Sequence, residues 1–260
     1  MEVLSAILIF IIGIIAGGYG TIVGAGGGFI FVPSLLIFMN MEPIMAAASG
    51  LVIVFINSCT GMVGYARQKK VLFKIAFLVG LSAFPGSILG VWLLQAYSIE
   101  YFHLIFSIIL VGIGTFLFYK NSLFGKKASI KQNTNATAKH SKKYSTLFFL
   151  PLGLIIGVLS SYLGIGGGWL LVPILVYLYK IPVHYAVPTA IASLCLYSSV
   201  GVVSHLYYNN IDWITVLSGG VGVIIGASVG VRLSQRLTGK VVLQMLSVLL
   251  VVLGISMFFQ

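Results

Sequence analysis

The chain is written twice, and that constrains its fold more than any other feature. Gly24-Ala25-Gly26-Gly27-Gly28-Phe29 returns 140 positions later as Gly164-Ile165-Gly166-Gly167-Gly168-Trp169. Val32-Pro33 returns as Val172-Pro173, and Gly80, Gly86, Gly90 and Gln95 return as Gly220, Gly226, Gly230 and Gln235, with no gap. A fixed-period duplication means that two similar structural units must pack against each other. In an almost wholly apolar chain, such a pair of units implies a transporter built around a site that the halves share.

Of the 260 residues, 59% are hydrophobic and 7% are charged, against about 25% charged in soluble domains. Apolar runs such as 3–22 and 101–119 reach the roughly 20 residues that a helix needs to cross a bilayer. They do not alternate in polarity, which excludes a transmembrane barrel. The first run does not read as a removed signal peptide: it carries Glu2, has no basic leader and is longer than about 7–15 residues. The expected fold is an all-α polytopic membrane protein.

Each half divides into five segments: 3–22, 29–39, 44–65, 71–95 and 101–119, then 145–162, 169–179, 184–205, 213–235 and 241–258. This gives a first repeat at 1–119, a basic linker at 120–144 and a second repeat at 145–260. The linker holds seven lysines and no acid and reads as a polar loop. Placing basic loops in the cytoplasm puts all 15 Lys and Arg inside and all four acids, Glu2, Glu42, Glu100 and Asp212, outside. The linker is then cytoplasmic and both termini lie outside, in the cell membrane. Equivalent loops fall on opposite faces: Arg67-Gln68-Lys69-Lys70 inside, Tyr207-Tyr208-Asn209-Asn210 outside. Two inverted-topology repeats are therefore expected, each with a glycine-broken helical hairpin plus three long transmembrane helices.

The hairpin's return arm, 29–39, spans roughly 16 Å as a helix and cannot cross a core of about 30 Å. Irregular backbone must therefore lie within the membrane, which is tolerated only inside protein or along a wet cavity. The candidate substrate-binding residues are the glycines there: Gly24, Gly26, Gly27 and Gly28, with Gly164, Gly166, Gly167 and Gly168. A helix starting at each break would offer unpaired N–H groups to an anion. The same glycines also suit close helix contact. Polar side chains in the apolar segments extend the candidate set to Thr21, Asn57, Ser58, Ser161, Thr189, Ser193 and Ser198. Hydroxyls and amides donate to an oxyanion without adding a buried charge, although Ser and Thr also bond back to their own helix.

Other motifs read as structural. Gly86 and Gly90, with Gly226 and Gly230, have the small-residue spacing of packed helices. Pro33 and Pro173 suit a first helical turn, or kink a helix that starts earlier. Cys59 and Cys195 stand far apart at non-equivalent positions and read as small buried hydrophobes, so disulfide and metal chemistry are not expected. His103, His184 and His205 lie near segment ends and read as interfacial. A dinucleotide fingerprint fails where Phe29 and Trp169 stand. No carboxylate lies within a span to relay protons or sodium, and no nucleophile–base set is present. Neither enzymatic activity, a cofactor, a metal nor nucleic-acid binding is expected. The partners are a small anionic substrate and the lipid bilayer, with homo-oligomerisation left open.

The doubled Gly-x-Gly-Gly-Gly-[Phe/Trp]-x-x-Val-Pro motif resembles that of the TauE/SafE-type family of sulfite and organosulfonate exporters, and the likeness covers essentially the whole chain. It implies a permease for a small sulfur oxyanion, with members associated with sulfite, sulfonates and thiosulfate. The residues supply a mechanism for export: both breaks converge on the anion at mid-membrane, and the membrane potential drives it outward. Import of a similar anion, or a non-transporting assembly factor, are the competing readings.

Overall fold

A computed structural model describes residues 3–96 and 149–258, together with Val111, Gly112, Gly114 and Thr115. The expected fifth segment of the first half and the basic linker lie outside the described residues. The described chain is helical: α1 (Val3–Val23), α2 (Gly28–Met39), α3 (Pro43–Arg67), α4 (Phe73–Ala96), α5 (Phe149–Leu163), α6 (Gly168–Pro173), α7 (Val183–Tyr207), α8 (Trp213–Ser234) and α9 (Gly239–Phe258). A π-helical stretch, Ile174–Leu178, continues α6. Five helices are long and apolar enough to span a membrane: Leu4–Val23, Pro43–Arg67, Phe73–Ala96, Val183–Tyr207 and Trp213–Ser234. Their outward faces carry exposed Leu4, Ile7, Ile11 and Ile15 on α1, Phe77, Leu81 and Trp92 on α4, and Leu217, Val221 and Val229 on α8. Such faces belong in lipid rather than in water.

The duplication reappears in three dimensions. α3 and α7 have bounds 140 positions apart at both ends. Left-handed backbone occurs at Asn40 and its counterpart Lys180, and at Lys69 and its counterpart Asn209. Helix packing follows the same rule with partners exchanged, α1 lying on α8 and α4 on α5. A Cβ on Gly226 would lie 2.8 Å from Gly18 N, and one on Gly86 would lie 3.0 Å from Val158 N, the equivalent atom. Gly17 would meet Val223 Cα at 2.8 Å, and Gly157 would meet Ala83 C at 3.0 Å. Lipid removes the hydrophobic drive between helices, so this backbone-to-backbone seam, which only glycine permits, is what holds the pairs together.

The two central helices pass each other in opposite directions. Leu51 meets Gly201, and Gly61 meets Ile191. Between these contacts the sulfurs of Cys59 and Cys195 stand 3.0 Å apart. The expectation of two unrelated cysteines is thereby corrected: sequence separation and non-equivalence said nothing about the crossing, because antiparallel helices pair rising numbers with falling ones. The proline expectation is corrected in favour of its alternative. α2 begins at Gly28 and α6 at Gly168, so Pro33 and Pro173 lie inside rather than at a first turn. Past Pro173 the bonding widens, with Tyr179 N–H reaching Ile174 O.

Candidate functional site at the crossed glycine breaks

Glycine is required at the first break by backbone angle, since φ is +82° at Gly24, +89° at Gly26 and +80° at Gly27. Any L side chain is strained in that region. At the second break Gly164 and Gly166 have φ of +68° and +80°, whereas Gly167 is at −101°. The two breaks interlock. A Cβ on Gly28 would lie 2.7 Å from Ile165 Cα, and one on Gly168 would lie 3.3 Å from Ala25 Cα. Phe29 and Trp169, each following its break, meet edge to face with centroids 5.5 Å apart. Both are fully buried, so the breaks meet inside protein rather than against lipid.

Several N–H groups at the breaks are already taken. Ala25 and Gly26 donate to Gly20 O, and Gly164 donates to Ser160 O. Gly167 N–H donates to the hydroxyl of Tyr197 at 3.0 Å. The first half arranges the matching position differently, because Asn57 stands where the second half has Tyr197. The Thr21 hydroxyl donates to Asn57 Oδ1 at 3.0 Å, and Asn57 packs beside Gly27. Its Nδ2 has no acceptor, and neither Ser161 Oγ nor Trp169 Nε1 has a hydrogen-bond partner, although all three residues are fully buried. Buried polar atoms without partners are uncommon in native proteins and call for an explanation.

The remaining expected residues divide on where their hydrogens go. Ser58 donates to Phe55 O, Ser193 to Thr189 O and Ser198 to Leu194 O. Thr189 donates to Tyr185 O and accepts from Leu72 N–H just before α4. These hydroxyl hydrogens serve their own helix, as Ser and Thr commonly do, and none is aimed at the breaks. Thr21 and Asn57 are brought to the first break beside Gly27, whereas Ser161 packs against Gly201 at the other end of the α3/α7 crossing.

A narrow cleft, with room for about one water molecule, lies among Tyr65, Gln68, Lys70, His184, Pro188 and Ser234. Tyr65 forms its inner wall, donating to Thr21 O at 2.9 Å and contacting Ser234 Oγ at 3.0 Å. The equivalent place at the other end is tightly packed. A Cβ on Gly164 would stand 2.6 Å from the carbonyl carbon of Ala47, whereas at Gly24, its counterpart, the matching Val187 backbone is 3.4 Å away.

Residues 9–257 match the family described as Sulfite exporter TauE/SafE. The chain belongs to that family. It is 25% identical to the probable membrane transporter protein YunE of Bacillus subtilis, over 99% of this chain and 98% of that protein. It is 28% identical to a probable membrane transporter protein of Methanocaldococcus jannaschii, over 96% and 94% respectively. No solved structure matches. The chain is therefore a multi-pass membrane transporter of the TauE/SafE family.

For this TauE/SafE protein, residue types alone missed Tyr65, whose hydroxyl bonds to the Thr21 carbonyl beside the first break. Tyr197, one of the polar side chains within the apolar segments, accepts from Gly167 N–H at the second. His205 read as interfacial, and the structure corrects this: it is fully buried. It occupies the position equivalent to Tyr65, and that equivalence was the available signal. His184 does stand at the cleft mouth, and His103 lies outside the described residues.

Proposed function

We propose that this transporter exports a small sulfur oxyanion, sulfite or an organosulfonate, bound where the two glycine breaks cross. The observation that carries this reading is Asn57 Nδ2, buried beside Gly27 and left without a partner, with Ser161 Oγ and Trp169 Nε1 equally unpartnered on the segments that flank the second break. A tetrahedral or pyramidal oxyanion presents several acceptor oxygens, and hydrogen bonds to a charged acceptor are worth about 1.5–3 kcal/mol each. Fixed cations are absent from the set, which keeps binding weak enough for release.

Antiparallel passage of α3 and α7 supports two inverted repeats, with the Lys70 loop cytoplasmic as the charge bias predicts. The cleft beside Lys70 then represents cytoplasmic access to Thr21, and the tight Gly164–Ala47 contact is the closed outer side. Rocking of the halves exchanges the two arrangements, because equivalent residues line both ends. The membrane potential contributes about 2.3 kcal/mol per charge per 100 mV toward anion exit, so no coupling ion is required.

The deciding experiment is a thermal-shift screen of purified protein with sulfite, sulfonates, thiosulfate and carboxylates, followed by flux in proteoliposomes under an imposed potential. A shift with sulfite or a sulfonate, together with potential-dependent outward flux, is expected. Stabilisation by carboxylates alone, or flux only with a proton or sodium gradient, would refute the substrate class or the uncoupled mechanism respectively.

A further inference from the structure

The two cysteines at the centre of the fold are unused by the transport reading. The chain has only two cysteines, both are free thiols and both are half-buried. They come from different halves, Cys59 from α3 and Cys195 from α7, and their sulfurs are 3.0 Å apart. The pair lies away from the breaks: Asn57 and Gly61 face Gly27 and Thr21, and a residue two positions along a helix points to the opposite side. Cys59 is that residue for both.

We propose that Cys59 and Cys195 are a redox-modifiable dithiol that, once oxidised, staples the two halves together at their crossing. A disulfide has a sulfur separation of about 2.0 Å, so closing the bond needs an approach of about 1 Å, within reach of side-chain torsion. The oxidant is a low-molecular-weight disulfide. One protein thiol loses its proton and attacks the reagent, releasing one reagent thiol and leaving a mixed disulfide. The second protein sulfur then displaces the other reagent thiol. Two protein S–H bonds and one reagent S–S bond break. One protein S–S bond and two reagent thiols form, so two electrons and two protons pass to the reagent. The staple joins α3 of the first half to α7 of the second, which move against each other if the halves rock. Oxidation therefore arrests the transport cycle and reduction restores it. This last step rests on the rocking mechanism proposed above, whereas the pairing itself does not.

The test treats full-length protein in lipid nanodiscs with 2,2′-dipyridyl disulfide. Expected are two thiopyridones released per chain, a mass lower by two hydrogens and a Cys59 peptide joined to a Cys195 peptide. The Cys59→Ser variant should instead retain one pyridylthio group on Cys195. Wild-type protein that keeps two pyridylthio groups would overturn the pairing, as would thiols that refuse the reagent when folded but react in dodecyl sulfate. In proteoliposomes, anion flux should fall about tenfold or more on oxidation, recover with dithiothreitol and stay constant in Cys59→Ser. Equal flux before and after oxidation would overturn the arrest. A chain with no flux in either state would count against the transport mechanism, and the mass result would still decide the pair.

Discussion

The Thr21 hydroxyl donates to Asn57 Oδ1 at 3.0 Å, and the amide nitrogen of Asn57, which packs beside Gly27, is left without an acceptor. Thr21 therefore positions the donor that the anion reading needs. Asn57→Leu keeps the volume and removes the donor. One hydrogen bond to a charged acceptor at about 1.5–3 kcal/mol converts to an affinity loss of roughly 10- to 150-fold. The variant also strips the buried Thr21 hydroxyl of its acceptor, at about 1–3 kcal/mol. The expected outcome is a lowered apo melting temperature together with a lost sulfite-induced shift, read by thiol-independent thermal denaturation.

Glycine tolerance should follow the packing rather than the motif alone. A Cβ at Gly28 meets Ile165 Cα at 2.7 Å, which is backbone of the opposite break and cannot yield by a rotamer change. At Gly220, also repeated in the sequence, the nearest atom is the flexible Ile56 Cδ1 at 3.2 Å. Gly28→Ala should destabilise by at least about 1–3 kcal/mol, the usual cost of overpacking. Gly220→Ala should fold and transport at close to the wild-type level. Melting temperatures of the two variants in the same detergent check the contrast.

This contrast shows what the sequence made legible. The 140-residue repeat predicted the described helices within a few residues, because apolar length and glycine punctuation are local signals. It also placed the glycine breaks, which interrupt the chain between Val23 and Gly28 and between Leu163 and Gly168. Pairwise registry at the centre was not legible. Cys59 and Cys195 meet because α3 and α7 cross with opposite sense, and Asn57 opposes Tyr197 in role although both occupy one repeat position. Serines such as Ser193 and Ser198 misled for a related reason: a hydroxyl in an apolar helix has an acceptor one turn back, and sequence does not say which way it turns. His205 looked interfacial because distance from a segment end is a poor measure of burial when the end itself is covered.

Tyr197 offers a test with opposite signs in the free and bound states. Its hydroxyl satisfies Gly167 N–H at 3.0 Å inside a fully buried site. Tyr197→Phe leaves that N–H unpaired, at about 1–3 kcal/mol, so the free protein should melt earlier. The bared N–H is then available to the bound anion, so sulfite should raise the melting temperature of the variant by more than it raises wild type. A variant equally destabilised with and without sulfite would separate Gly167 from the binding site.

Lys70 stands at the cleft mouth with His184, and Tyr65 at its inner wall leads to Thr21. A charge there acts on arrival rather than on the bound state, since it lies outside the set of buried donors. Attraction of a small anion to an exposed charge is screened over about 10 Å at 0.1 M salt and about 3 Å at 1 M, and such steering changes rates more than affinity. Lys70→Gln should therefore slow initial outward flux severalfold at low ionic strength, with little change in the thermal shift at saturating sulfite. Raising the salt should bring wild type down to the variant's rate. Flux measured at both ionic strengths checks this, and a Lys70→Gln defect that persists undiminished in high salt would place Lys70 in the binding site itself.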